Sequence, residues 1–377
     1  MKILQIHNKY RNYGGEDVVV ENEYKLMTSK GFKVKQLFFD NQVISPTKFF
    51  FNKNSYKKTI KTIDSFCPDI VHIHNLFYTA SVSVLMAAKS KKIKTVITLH
   101  NYRLMCLNAM FSRKNSVCTL CYGKTFAFKG VLNKCFQNSF NKSLMMSLFV
   151  GINKKNNTWQ KYLDQVIVLT PFIKELILNS DLGIEENKIS IKPNSTSDLQ
   201  SNIDCDEKSF FLFVGRISKE KGIDILVETF NDLSNFNLEV IGGGENLNNL
   251  SRDSNSNIIF HGQKNKEFVN KKLKYAKALI FPSTWFEGLP NTIIEAFSAG
   301  VPVISSDNDN LKTIVNNNFN GLLFKQNCKN SLKEVILNFN NIDNKKLSIN
   351  ARKTYEKYYS HQKNFENLKA IYKKVKS

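Results

Sequence analysis

The stretch FPSTWFEGLPNTIIEAFSAGVPVISSD, residues 281–307, holds two glutamates eight positions apart, Glu287 and Glu295. The apolar run at 278–281 reads as a buried strand, 282–290 as a loop, and 291–299 as a helix stopped by Gly300 and followed by Pro302. A second apolar run, 301–304, returns as a strand. A strand, helix and strand crossover in a parallel sheet places the loop at the carboxyl edge of the strands, where open α/β sheets bind ligands. The amides of Gly288, Leu289 and Asn291 then point into a cleft, and amides at a helix start suit a phosphate. Glu295, one turn further in, is placed to accept hydrogen bonds from a diol such as ribose, while Glu287 stands on the loop nearer a sugar. Taken alone, the same pair reads as a loop charge and a solvated helix residue.

A second motif works in the same direction. Residues 210–214 (FFLFV) read as a strand, followed by Gly215, Arg216, Lys221 and Gly222 before a helix over 223–233. Two cations five positions apart across a turn can both reach one diphosphate, and Gly215 permits close backbone approach; surface charges are the other reading. The run Gly242-Gly243-Gly244 with Glu245, after a strand over 238–241, repeats the arrangement.

In order, GR-x4-KG (215–222), VIGGGE (240–245), FHG (260–262) and E-x7-E with AGVPVISSD resemble family 4 glycosyltransferases of the GT-B fold. The amino-terminal half agrees: ILQIHNKYRNYGGEDVVVENE carries the double glycine Gly14-Gly15 of the first loop, PDIVHIHN carries His74 and TLHN carries His100. The resemblance spans about residues 1–325. It implies an α/β chain of two Rossmann-like, doubly wound domains facing a central cleft. It also implies retaining transfer of a sugar from a nucleotide-diphosphate donor by front-face attack, the leaving diphosphate helping to deprotonate the acceptor hydroxyl. Arg216, Lys221 and the amides of Gly15, Gly288 and Leu289 would stabilise charge growing on the diphosphate. Glu295 would hold the ribose and Glu287 would orient the donor sugar, with His100 contacting sugar or acceptor. Gly14, Gly215, Gly243 and Asn291 complete the donor-binding set. No cofactor is required, because fixed cations and amides replace a divalent metal, and Asp307-Asn308-Asp309 reads as a coincidental DxD. After SSD the chain lacks the family's glycine pair and following glutamate, having Asp309, Asn310 and Thr313, and Ser195 stands where a glycine is common. These departures put donor identity in doubt.

A chain of 377 residues with 42% hydrophobic side chains suits two packed domains. The first, 1–196, is read from strands at 3–6, 33–38, 70–73, 95–99 and 166–169 alternating with helices. The boundary falls in the polar stretch 193–208; a donor domain fills 197–355. In 356–377, Phe365, Leu368, Ile371 and Tyr372 form one helical stripe, which in the resembling family packs back on the first domain. No secretory signal is visible, and nothing reaches the roughly 18 apolar residues of a membrane span. The longest apolar patch, 144–152, reads as a buried helix wall in preference to a membrane-inserting segment. The protein is expected in the cytoplasm, free or peripheral on the inner face of the plasma membrane.

Charge is divided unevenly: residues 1–196 carry 29 Lys and Arg against 12 Asp and Glu, the remainder 25 against 20. A basic first domain is attracted to anionic lipid at roughly 1 kcal/mol per cation near the surface, which suits an acceptor on a lipid diphosphate carrier; a solvated basic surface is the other reading. Nucleic acid is excluded as a partner, since the basic residues are scattered and Arg is scarce beside Lys. Seven cysteines without a secretory signal imply reduced thiols. Cys106, Cys118, Cys121 and Cys135 could complete a structural zinc site that pins the loop after His100, or be ordinary small residues there. Together these readings point to a hexosyl-type glycosyltransferase of surface polysaccharide (capsule or lipopolysaccharide) biosynthesis, with a lipid-linked or free saccharide acceptor. The alternatives are an idle nucleotide-sugar binder and another GT-B enzyme such as a nucleotide-sugar epimerase.

Overall fold

The computed structural model describes residues 1–10, 14–41, 46–114, 116–199 and 208–377. They divide into two compact units, one of Met1–Phe111, Thr119–Asn194 and Asn364–Ser377, the other of Ser112–Cys118 and Ser195–Lys363. The linker residues 200–207, which include Cys205, lie outside the described residues.

In the first unit, strands β1 (Lys2–Asn8), β2 (Lys33–Phe39), β3 (Ile70–Asn75) and β4 (Lys94–Leu99) are followed by a two-residue-per-strand hairpin, β5 (Ser112–Arg113) and β6 (Ser116–Val117), assigned to the other unit. Strands β7 (Gln165–Val168) and β8 (Ile189–Ile191) complete a parallel sheet in the order β2-β1-β3-β4-β7-β8. Helices cover both faces of such a sheet, so its central strands are continuous apolar runs: Ile3, Leu4, Ile6, Ile70, Val71 and Ile73 are wholly buried. The chain runs outward from β1 to β2 and then crosses to β3 on the other side. The carboxyl ends of β1 and β3, with His7 and His74, therefore flank a switch point. From the last helix, His361–Lys376, the side chains of Leu368, Ile371, Tyr372 and Val375 recur every three or four positions and pack with Ile3, Met27, Ile70, Val96 and Ile167.

The expectation for residues 144–152 needs correcting. In the helix Phe140–Lys155, Met146, Phe149 and Val150 are buried as a core wall, but Leu144, Leu148 and Ile152 are 36%, 40% and 39% exposed. A run that is apolar all round hides its exposed face from any periodicity argument.

In the second unit, β9 (Phe210–Val214), β10 (Asn237–Ile241), β11 (Ile258–Gly262), β12 (Ala276–Phe281), β13 (Val303–Ser306) and β14 (Gly321–Phe324) form a parallel sheet in the order β11-β10-β9-β12-β13-β14. Phe211, Phe213, Ile280 and Ile304 build its core with Phe230, Leu226 and Leu332 from the flanking helices. The winding reverses between β9 and β12, so the loops carrying residues 215–222 and 282–290 open side by side. Close approach of these loops requires glycine. At Gly222 φ is +71° and a Cβ would lie 2.0 Å from the Pro282 carbonyl oxygen; at Gly242 it would lie 1.8 Å from that of Gly215. Gly222→Ala is expected to destabilise the chain by about 2–3 kcal/mol, read as a lower thermal midpoint.

Candidate active site

In the second unit, the loop after β12 is held from below. Lys221 Nζ lies 2.6 Å from Glu287 Oε1, and the Ser283 hydroxyl donates to the same oxygen at 2.7 Å. The Lys221 and Glu287 side chains are 17% and 8% exposed, so this is a largely buried ion pair joining the two loops at the switch point. Rings of Phe281 and Trp285 stand 5.6 and 5.4 Å from the same ammonium. Arg216 is different: its side chain is 63% exposed, with Glu220 at 3.5 Å on its own turn. The two cations that the spacing grouped together thus have different surroundings, Lys221 held against Glu287 and Arg216 facing solvent. Glu295, on the helix Asn291–Ser298, is buried and paired with Lys266; burial raises its carboxyl pKa and Lys266 opposes the rise.

Asn310, at the departure from the family's glycine pair, and its neighbour Asn308 explain that departure. The Asn310 amide donates to the carbonyls of Glu287 and Gly288, the latter at 2.9 Å, and Asn308 donates to that of Trp285 at 3.3 Å. Both are buried while Asp307 and Asp309 are exposed, and Asp307 pairs with Lys312. Two asparagines therefore clamp the Glu287 loop from behind. Ser195 is likewise engaged, its hydroxyl 3.0 Å from His361 Nδ1. In the glycine run the steric need falls on Gly242 and on Gly244, whose Cβ would sit 2.1 Å from the Ile217 carbonyl oxygen. Gly243 has room for a side chain, and its carbonyl accepts from the Ile217 amide. At Gly215 a Cβ would meet only the Phe213 ring, at 3.4 Å.

In the first unit, Gly14 caps the helix Gly15–Ser29, and its amide donates to Asp17 Oδ2 at 2.9 Å. That amide is used internally; Gly15, the first helical residue, is exposed. Asp17 Oδ1 also meets His7 Nε2 at 2.9 Å. Beside it Glu16 accepts from the Tyr10 hydroxyl, and burial pushes its carboxyl up to about 8, so it is mostly protonated at neutral pH.

His100, just beyond β4, stacks on His74 with ring centroids 5.3 Å apart, His74 Nδ1 lying 3.0 Å from His100 Nε2. On its other side His74 Nε2 is 3.2 Å from Gln5 Nε2 and 3.5 Å from Glu23 Oε1. The proton that His100 carries is thus set by the bond His74 makes at its far nitrogen. Burial, then the neighbouring imidazole, lowers the pKa of both rings, that of His74 to about 3. Both are neutral at working pH.

Glu23 anchors this chain. Burial alone would raise its carboxyl, but Lys192 Nζ at 2.8 Å and the two histidines outweigh that and hold it well below the usual range. His72 Nδ1 lies 3.2 Å from Glu23 and 2.6 Å from the Tyr372 hydroxyl. Sequence reasoning found His74 and His100 but missed Glu23, Lys192 and Tyr372, which stand at least 169 positions from one another and meet only in the fold.

A consequence can be measured. The unfolded chain protonates His74 near 6.5 and the folded chain only near 3, so its contribution to stability is whole above pH 6.5 and is lost as pH falls. Between pH 6.5 and 5 the native chain should lose about 2 kcal/mol more than His74→Gln, measured by urea unfolding at each pH. Glu16, shifted upward, contributes the opposite slope to both proteins and cancels in the difference.

Among the described residues, the one group of three or more His, Cys, Asp or Glu whose ligand atoms all lie within 4.8 Å of one another is Glu23, His72 and His74; Cys106, Cys118, Cys121 and Cys135 do not form one. The Cys106 thiol donates to Asn108 Oδ1 at 3.0 Å, and burial raises its pKa. The Glu23 group already holds the Lys192 ammonium, a poor companion for a cation.

Two parallel six-stranded α/β sheets, each with a glycine-bearing loop system at its switch point, have the GT-B fold of solved glycosyltransferase structures. Residues 195–354 match the family model of glycosyl transferases group 1. The match lies within the second unit, and the chain is a glycosyltransferase. The uncharacterized glycosyltransferase MJ1178 of Methanocaldococcus jannaschii is 24% identical, the alignment covering 100% of this chain and 99% of the relative. The lipopolysaccharide 1,6-galactosyltransferase of Salmonella typhimurium is 25% identical over 81% of this chain and 80% of its own. Among solved structures, a glycosyltransferase from Rickettsia africae superposes with a TM-score of 0.74 at 17% identity, over 99% and 98% of the two chains. The lipopolysaccharide outer core galactosyltransferase WaaB, in apo form, gives 0.65 at 21% identity over 99% and 100%. No described helix is long and apolar enough to cross a membrane.

Proposed function

We propose that the protein is a retaining hexosyltransferase that takes its sugar from a nucleoside diphosphate donor and delivers it to a lipid-linked saccharide in surface polysaccharide synthesis. The observation that carries this reading is the Lys221–Glu287 pair at the switch point of the second sheet, backed by Ser283 and clamped by Asn310. It sets a cation and a carboxylate beside loop amides, as a diphosphate and a sugar require. Relatives named for lipopolysaccharide and O-antigen synthesis support the acceptor class, and the Anabaena protein HepE, solved with UDP and glucose, makes UDP the first nucleotide to try.

In this reading the bond from the sugar's anomeric carbon to the diphosphate oxygen breaks while the acceptor oxygen bonds the same face, and the acceptor proton passes to the leaving diphosphate. Arg216, Lys221 and the amides of Gly15, Gly288 and Leu289 offset the charge that develops there, with no divalent metal needed. Glu295 receives the ribose hydroxyls, Glu287 orients the sugar, and neutral His100 offers a hydrogen bond to sugar or acceptor. The enzyme works on the cytoplasmic side, at the inner face of the plasma membrane.

Thermal unfolding with UDP, GDP, ADP and their common sugars, with and without magnesium, tests the donor half. Stabilisation by one nucleotide, unchanged by chelator, is the expected result. Silence across the panel, or stabilisation only with magnesium, overturns the metal-free donor site. Transfer that proceeds as well to water as to a lipid-linked saccharide overturns the acceptor half.

A further inference from the structure

The helix Phe140–Lys155 has an unusual exposed face. From Ser143 to Lys154 every residue of it that is exposed is apolar, namely Leu144, Leu148 and Ile152, four positions apart and so in one line. Phe140, 45% exposed, extends the line by a turn, and Lys142 and Lys155 stand exposed at its two ends. The neighbouring helix, Phe128–Leu132, adds Phe128 and Leu132, 66% and 67% exposed. It is fixed to the first helix because Ser147 accepts from the Ala127 amide and Ser143 from that of Phe136, both at 2.9 Å.

The segment that carries this line has charge of one sign. Between Thr119 and Leu163 the sequence has seven lysines and no aspartate or glutamate. Six of the lysines are exposed; the seventh, Lys154, is buried and pairs with Asp181 on the helix's inner side. An apolar line rimmed by lysines is what lies flat in a lipid interface, side chains of leucine and isoleucine among the acyl chains and ammonium groups reaching the headgroups. A second copy of this chain fits the face poorly, since it would set its own lysines against these.

We propose that the face formed by Leu144, Leu148 and Ile152, with Phe128, Leu132 and the lysines around them, docks the enzyme on an anionic bilayer. The proposal draws on the function above only for the membrane-borne acceptor. It places the first unit's insertion after β4, rather than its net charge at large, at the lipid surface.

Flotation with phosphatidylcholine vesicles, with and without phosphatidylglycerol, tests it on the full chain. The native protein is expected to float with the anionic vesicles and not with the neutral ones. Leu144→Ser, Leu148→Ser and Ile152→Ser combined should lower partition at least about tenfold, and Lys142→Gln with Lys155→Gln should lower it several-fold, with solution transfer to a soluble acceptor unchanged. Leu148→Trp keeps the face apolar, and its emission should shift blue and be quenched by brominated lipid only in anionic vesicles. Equal flotation with both vesicles, undiminished flotation of the triple variant, or emission from the Leu148→Trp variant that brominated lipid leaves unquenched overturns the proposal. So does a dimer abolished by the triple variant with no vesicle binding, which would assign the face to a second copy. Failed flotation with intact transfer to a detergent-solubilised acceptor removes the docking face and leaves the function; flotation without transfer does the reverse.

Discussion

Lys221→Ala is expected to lose more than about 100-fold in transfer and also to unfold more easily, whereas Arg216→Ala should show the first loss without the second. Both cations are assigned to the diphosphate, so each removal takes away stabilisation that grows toward the transition state. Their surroundings differ. Lys221 neutralises Glu287 in a site where both side chains are largely buried, and deleting one member of such a pair leaves the other charge uncompensated, at about 3 kcal/mol. Arg216 is 63% exposed and its removal should change stability by no more than about 0.5 kcal/mol. Steady-state rates and thermal unfolding of the two variants give the comparison. The double variant Lys221→Ala with Glu287→Gln should recover stability and remain inactive. Full activity in both single variants, with folding intact, would remove the site assignment.

The largest effect on stability is expected from Glu23→Ala, at about 3–5 kcal/mol. Lys192 is 1% exposed and its ammonium would be left buried with Asn364 Oδ1, 3.4 Å away, as its remaining partner among the described contacts. Replacing both partners, Glu23→Gln with Lys192→Met, should restore most of the loss, because an uncharged pair leaves no buried charge unmatched. The same double variant reads the histidine chain: with Glu23 neutralised, His100 loses the group that orients His74, so kcat should fall more than KM rises. Equal stability of Glu23→Ala and the native chain would show that the pair is not a structural anchor.

Much of the donor unit was legible in the sequence, for a physical reason. Its strands are buried on both faces, so they appear as short unbroken apolar runs such as FFLFV, and the loops between them carry glycines at Gly222 and Gly242 where backbone meets backbone. The loop after β12 could be placed from Gly300, Pro302 and the E-x7-E spacing alone. Legibility failed where an interaction joins residues far apart. The link from Lys221 to Glu287 crosses 66 positions, and nothing local distinguishes Lys221 from a surface lysine. Asn310 looked like a defect in a motif and, with Asn308, is its clamp.

By itself the sequence determined the alternation of strand and helix, the two sheets, the loop system around Glu287 and Glu295, and a chain chemistry with no long apolar span. Those follow from periodicity, turn residues and the rule that a doubly covered sheet must be apolar. Only the tertiary structure decided which charges are buried and with whom: Glu23 with Lys192, Lys221 with Glu287, His74 with His100, and the cysteines apart. It also decided that Leu144, Leu148 and Ile152 face outward while their helix neighbours face the core. Burial and pairing depend on what lies across space from a residue, and a linear chain carries that information only after it has folded.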